Sequence, residues 1–194
     1  VTRPVRVSVK PTSAHALGAL SVLIGLAWTF RADLAGGPAL HWLVAPLAVY
    51  VLGLRWAVVA VIGGGGFAAA VGGLPWSELP IAVLVDGWIP ALVAWGWLRG
   101  VERRLPPHLF VYLFVAVFAG TLLAVIAGGA IERLLWALGS GRAPSADWWI
   151  ALLILADGEA VSTGCLVTGL ALYRPQWLQT FDPDRYLRRP DRRG

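Results

Sequence analysis

His41, Asp86, Asp157 and Glu159 are ionisable residues set at or within long apolar runs of the sequence. An ionisable group at mid-depth in hydrocarbon costs at least about 2.5–3.5 kcal/mol on insertion scales, so each needs a partner or a task. An imidazole nitrogen binds divalent transition metals, and carboxylates complement cationic charge; together such groups can hold a small cation. Asp157 and Glu159 lie two residues apart, about 200° around a regular helix, and so point to nearly opposite faces. A break at Gly158 would instead turn both carboxylates, or freed carbonyls, towards one polar cavity. Burying two carboxylates for structure alone is expensive, which favours a task for this pair. Plainer readings stand beside these. Asp86, next to Gly87 and ahead of Pro90, also suits a carboxylate that only accepts hydrogen bonds from neighbouring helices. His41, after the turn-like Gly36-Gly37-Pro38, also suits a solvated imidazole at the interface. His15 and His108 fall at segment ends and read as interfacial polar residues. Cys165 is the single cysteine, which excludes an intramolecular disulfide.

The elements that must carry these residues are six apolar stretches, roughly 14–30, 39–54, 56–73, 80–98, 108–128 and 148–173. A helix needs about 20 residues to cross the hydrocarbon core. The expected fold class is all-α: a polytopic membrane protein of about six transmembrane helices with both termini cytoplasmic. The second and third stretches are short and separated only by Arg55-Trp56, which predicts a tight helical hairpin or a pair of tilted, partly shielded helices. A composition of 58% hydrophobic and 14% charged residues excludes a soluble domain of this size. Tryptophans at or near the segment ends, among them Trp28, Trp42, Trp56, Trp76, Trp97, Trp148 and Trp149, fit the headgroup level.

Cations sort by side. With a cytoplasmic amino terminus, the inside holds Arg3, Arg6, Lys10, Arg55, Arg99, Arg103, Arg104, Arg174, Arg185, Arg188, Arg189, Arg192 and Arg193. The outside keeps Arg31, Arg133 and Arg142. That bias is what an even number of spans predicts. The net charge of +5 is therefore read as topology and affinity for anionic lipid, with no nucleic-acid partner. The expected division is a cytoplasmic segment 1–13, one transmembrane domain 14–173 and a basic cytoplasmic tail 174–194. The first apolar run exceeds the usual 7–15-residue core of a signal peptide and is read as a retained helix.

Several chemistries are disfavoured. The run Gly63-Gly64-Gly65-Gly66 lies inside an apolar segment, no GxxxxGK[ST] occurs, and Lys10 is the only lysine, so ATP hydrolysis is not expected of this chain. No GxSxG, HExxH or zinc-type Cys/His spacing is present. Ser162, Thr163 and Thr168 lie near Glu159, but membrane hydroxyls more often bond back to the preceding turn. Small residues four apart, as in Ala14/Gly18, Ser21/Gly25, Ala116/Gly120 and Ala124/Gly128, let helices approach closely, within the chain or against a partner.

Two blocks of sequence carry a resemblance. They are Val101-Glu-Arg-Arg-Leu-Pro-Pro-His-Leu-Phe-Val-Tyr-Leu-Phe-Val115, and Cys165-Leu-Val-Thr-Gly-Leu-Ala-Leu-Tyr-Arg-Pro-Gln-Trp177 followed by Phe181-Asp-Pro-Asp-Arg-Tyr-Leu187. The chain resembles bacterial inner-membrane proteins known as energy-coupling factor transporter permeases, distant relatives of the cobalt/nickel-uptake substrate-specific components. The resemblance implies a six-helix substrate-binding subunit working with a separate transmembrane coupling subunit and cytoplasmic ATPases. It implies a divalent metal cation as substrate and no covalently bound cofactor. Gly37-Pro-Ala-Leu-His41-Trp42 is similar to the context of a metal-binding histidine in those relatives, which makes His41 the implied metal ligand. Asp86, Asp157 and Glu159 are then the expected substrate-binding groups lining the cavity. The relatives also bind metal through an amino-terminal Met-His-Ile, whereas this sequence opens Val-Thr-Arg-Pro-Val-Arg with no histidine before His15. That departure leaves another small cation, or a vitamin-like organic molecule, as alternative substrates. A non-transporting accessory or assembly subunit of a larger membrane complex is the rival reading.

Overall fold

The computed structural model describes residues 12–32, 38–141 and 145–186. The expectations placed on the first eleven residues, Gly36-Gly37, Arg142 and the tail beyond Tyr186 lie outside them. Among the described residues the fold is all-helical, apart from one isolated antiparallel backbone pair, Ala32 with Leu40. Four helical runs are long and apolar enough to cross a membrane: α2 (Ala45–Ala70), α3 (Leu79–Arg104), α4 (Val111–Ser140) and α5 (Ala146–Tyr173). The shorter α1 (Thr12–Thr29) precedes them. The protein is a membrane protein of packed apolar helices.

Stretches 39–54 and 56–73 fall largely into α2, which is interrupted at Gly53 (φ 73°, ψ 163°) and forms the tight helical hairpin expected of them. That region of backbone space is essentially confined to glycine. The chain turns back there. The Trp28 indole bonds the Leu43 carbonyl at 3.3 Å, and a Cβ on Gly65 would lie 3.2 Å from the same ring. In an unbroken helix residues 45 and 65 would be about 30 Å apart. The halves 45–52 and 54–70 therefore run in opposite senses. Reversal leaves carbonyls at the end of the first half without helical partners. Tyr50 O accepts from Thr180 Oγ1 at 2.8 Å, and Val51 O from the Gln179 amide at 3.1 Å, so the segment after α5 closes the turn.

The half 54–70 then pairs with α1. Hydrocarbon does not drive apolar helices together, so close approach of backbones must do so. A Cβ on Gly25 would meet Phe67 at 2.5 Å and the Gly64 carbonyl at 2.8 Å; one on Gly64 would meet Ile24 at 2.6 Å. The Ser21/Gly25 pair thus packs within the chain. Ala124/Gly128 also packs inward, with Gly128 against Pro90 and Val85, whereas a Cβ on Gly18 would touch nothing.

Two helices contain wide, π-helical turns, at Val83–Trp88 in α3 and Val111–Phe118 in α4. Such turns displace carbonyls from the regular ladder. In α4 these are taken up from outside: Trp97 Nε1 donates to Val115 O at 2.7 Å and the Tyr50 hydroxyl to Ala116 O at 3.1 Å. Helix α4 also runs twelve residues beyond the expected end at 128, and Arg133, expected in an outer loop, is 1% exposed with its guanidinium 4.2 Å from the Trp136 ring. Helix α5 runs through Gly158 without a break, so the interruption expected between Asp157 and Glu159 is not there. A Cβ on Gly158 would meet nothing within 4 Å, and the Ser162 hydroxyl bonds back to the Gly158 carbonyl at 2.8 Å without opening the helix.

Candidate functional site

Residues 38–44 reach the start of α2 as extended chain buried among helices. Non-helical backbone is tolerated in an apolar interior only when its polar groups are paired. Here they are paired from several sides. Pro38 O accepts from Trp148 Nε1 at 2.9 Å, and Leu40 exchanges two hydrogen bonds with Ala32 at 2.8 and 2.9 Å. Leu43 O takes the Trp28 indole, and the amides of Leu43 and Val44 donate to Glu159 at 2.9 and 2.7 Å. Val44 has φ 60°, an unfavourable conformation for a β-branched residue, held by this pairing.

The segment delivers His41 to the interior. Its side chain is 2% exposed, its ring meets Trp28 edge-on at 5.8 Å, and its Nε2 lies 3.7 Å from Asp86 Oδ2. Neither ring nitrogen makes a hydrogen bond among the described residues. A gap of 3.7 Å is too long for a hydrogen bond, and it suits two donors each about 2.1 Å from one shared ion. Asp86 arrives from the π-helical turn of α3, a distortion that often marks a working site. His41 also borders a groove of about 700 Å³ between the end of α1 and α5, lined by Phe30, Trp42, Ile154 and Gly158.

Of the four residues singled out in sequence, the fold brings His41 and Asp86 together. Glu159 stands nearby with both oxygens occupied by the backbone of Leu43 and Val44. It caps the start of the half-helix 45–52, where negative charge is favourable. Asp157 is exposed on α5 with Leu153 and Val161 and does not line the groove that His41 borders. Among the described residues, no three His, Cys, Asp or Glu side chains converge closely enough to hold a metal ion as they stand.

Sequence reasoning missed Glu132 and Arg31. Glu132 sits on α4 and borders a cavity of about 120 Å³ together with Asp86, Arg31 and Glu78. An apolar stretch that ends at 128 leaves Glu132 and Arg133 in a loop, which hides Glu132 from a search for ionisable residues inside the bilayer. Arg31, read as an outer cation, bonds the Trp28 carbonyl at 3.2 Å and faces Glu78 at 3.9 Å. The hydropathy of residues 131–138, apolar apart from that pair, is the signal that would have extended the helix.

An all-helical membrane bundle with a buried imidazole and carboxylate is the class of protein defined so far. No protein-family model matches the chain, and no curated protein sequence matches it. In fold it is similar to a solved structure described as a transition metal transporter, with a TM-score of 0.66 and 21% identity over 85% of this chain and 78% of that one. At that identity the likeness concerns the fold.

Proposed function

We infer that this chain is the substrate-binding transmembrane component of an energy-coupling-factor-like importer of a divalent metal cation of the cobalt/nickel class. The observation that carries the reading is the buried His41 imidazole, without a hydrogen bond among the described residues and 3.7 Å from the Asp86 carboxylate. A buried polar group left unsatisfied costs free energy, and a metal ion arriving as substrate would satisfy both groups at once. His41 is the first ligand and Asp86 the second. The likeness in fold to a transition metal transporter supports the same reading.

In this reading the protein is multi-pass in a bacterial inner membrane, with both termini cytoplasmic. Reversal at Gly53 supports six crossings, the second made by the extended segment 38–44 together with the half-helix 45–52. The chain itself catalyses no reaction. A transmembrane coupling subunit and cytoplasmic ATPases supply the energy, and the cations of 99–104 and the tail face those partners or anionic lipid. Glu102 already joins these two regions, pairing with Arg99 at 3.0 Å and Arg185 at 3.8 Å.

The test is elemental analysis of the detergent-purified protein after equilibration with cobalt, nickel, zinc or manganese, beside His41→Ala. Near-stoichiometric metal that is lost in the variant is the expected result; no metal above the variant's level overturns the assignment. One observation favours the accessory-subunit reading: Asp157, exposed in the middle of α5 among apolar neighbours, is a carboxylate that a partner helix could satisfy. That reading expects a stoichiometric partner on purification and no bound substrate.

A further inference from the structure

We propose that Glu132 is a third ligand of the His41–Asp86 site, giving one imidazole nitrogen and two carboxylates for a divalent first-row cation such as Mn²⁺, Co²⁺ or Zn²⁺. The proposal deepens the importer reading and rests on it. Its ground is that Glu132 is shared by two cavities, each of which contains one of the other two ligands. With Asp86 it borders the cavity of about 120 Å³ that reaches outward to Arg31 and Glu78. With His41 it borders a void of about 10 Å³ whose other walls are Leu40, Leu43, Val125, Gly129, Leu152 and Leu155.

That void is close to the size of a single water-sized occupant. Its only polar lining side chains are His41 and Glu132, and neither His41 nitrogen finds a hydrogen-bond partner among the described residues. Leaving such groups unpaired is costly, and a small cation is an occupant that an imidazole and a carboxylate can both accept. The three side chains do not yet converge on one point. Glu132 is half-buried with a flexible side chain, so it is the ligand that closes on the ion while His41 and Asp86 remain packed.

Arg31 forms one wall of the outer cavity, which Asp86, Glu132 and Glu78 also line. One guanidinium is set against three carboxyl groups there, so the mouth of the site favours cations. The ligand types select further. Imidazole with carboxylate suits borderline and harder divalent ions, whereas soft ions want sulfur. The sequence has no methionine, and its one cysteine, Cys165, is exposed on α5.

The experiment is equilibrium dialysis of the full chain in detergent against Co²⁺, Zn²⁺ and Mn²⁺, with Glu132→Gln, Glu132→Asp, His41→Ala and Asp86→Asn. Cobalt adds an absorption spectrum that reports its coordination. Metal-free melting and size-exclusion profiles confirm that each variant is folded. One ion per chain is expected, with Glu132→Gln weakening it by at least the roughly 10–100-fold that loss of an outer-shell partner costs, an altered cobalt spectrum, and partial recovery in Glu132→Asp. If Glu132→Gln binds like the parent while His41→Ala and Asp86→Asn do not, the third ligand is overturned and the two-residue site stands. If the parent binds no ion, or binds it regardless of His41 and Asp86, the importer reading fails and this proposal falls with it.

Discussion

Glu159 on α5 reaches across the bundle to the start of α2, where its two oxygens accept the amides of Leu43 and Val44 at 2.9 and 2.7 Å. This contact fixes the point at which extended chain becomes helix, and thereby the position of His41 two residues earlier. Glu159→Ala would leave two buried amides unpaired, at about 1–3 kcal/mol each. A clear fall in melting temperature is expected for Glu159→Ala, and a smaller one for Glu159→Gln, which keeps one acceptor. Equal melting of all three would show that the contact does not hold the segment.

The α1 interface depends on absent side chains. In Gly64→Ala the new Cβ would lie 2.6 Å from Ile24 and 2.8 Å from the Ser21 carbonyl, whereas a Cβ on Gly66 meets nothing within 4 Å. Backbone must move in the first case, costing about 1–3 kcal/mol. Gly66→Ala is expected to be neutral or slightly stabilising through helix propensity. Thermal melting of the two variants in the same detergent decides it.

Gly53 makes the reversal possible. Gly53→Ala would force a Cβ into a positive-φ conformation at about 1–3 kcal/mol, and would bring it within 3.3 Å of the Gln179 side chain. Loss of stability together with faster proteolysis near residues 53–55 and 178–180 is the expected outcome. An unchanged melting point would mean that the turn is not under the constraint described.

Binding by His41 and Asp86 should appear as stabilisation. A ligand that binds only the native state adds about 2.7 kcal/mol at a hundredfold excess over its dissociation constant. Cobalt is expected to raise the melting temperature of the parent and to leave that of His41→Ala unmoved. A rise of equal size in the variant would place the metal elsewhere.

Asp157 separates the two readings of function. It lines neither of the cavities that His41 borders, so Asp157→Asn is expected to keep metal affinity at the parental level. Loss of affinity in that variant would return Asp157 to the site. Loss of a co-purifying subunit, with metal binding intact, would assign it to a partner helix.

Much of the architecture was legible because hydropathy accumulates locally. Stretch 148–173 corresponds to α5 within two residues and stretch 80–98 to α3 apart from its last six, and the small residues of Ser21/Gly25 and Ala124/Gly128 do pack closely. Boundaries failed where one polar pair sits inside an apolar helix. Glu132-Arg133 ended the fifth stretch too early, although Arg133 is buried over Trp136 and Glu132 faces a cavity. The chemistry assigned to the Asp157/Glu159 pair assumed a helix break that α5 does not make.

The sequence by itself determined that this is an apolar helical membrane protein, where its stretches lie, and which few ionisable residues need explaining, since each follows from transfer energies summed along the chain. Tertiary structure alone decided the pairing of those residues. Whether a carboxylate meets His41, caps a backbone or faces outward depends on the reversal at Gly53, the π-helical turn carrying Asp86 and the rotation of α5. Those are set by contacts between residues distant in the chain, which spacing along one helix does not encode.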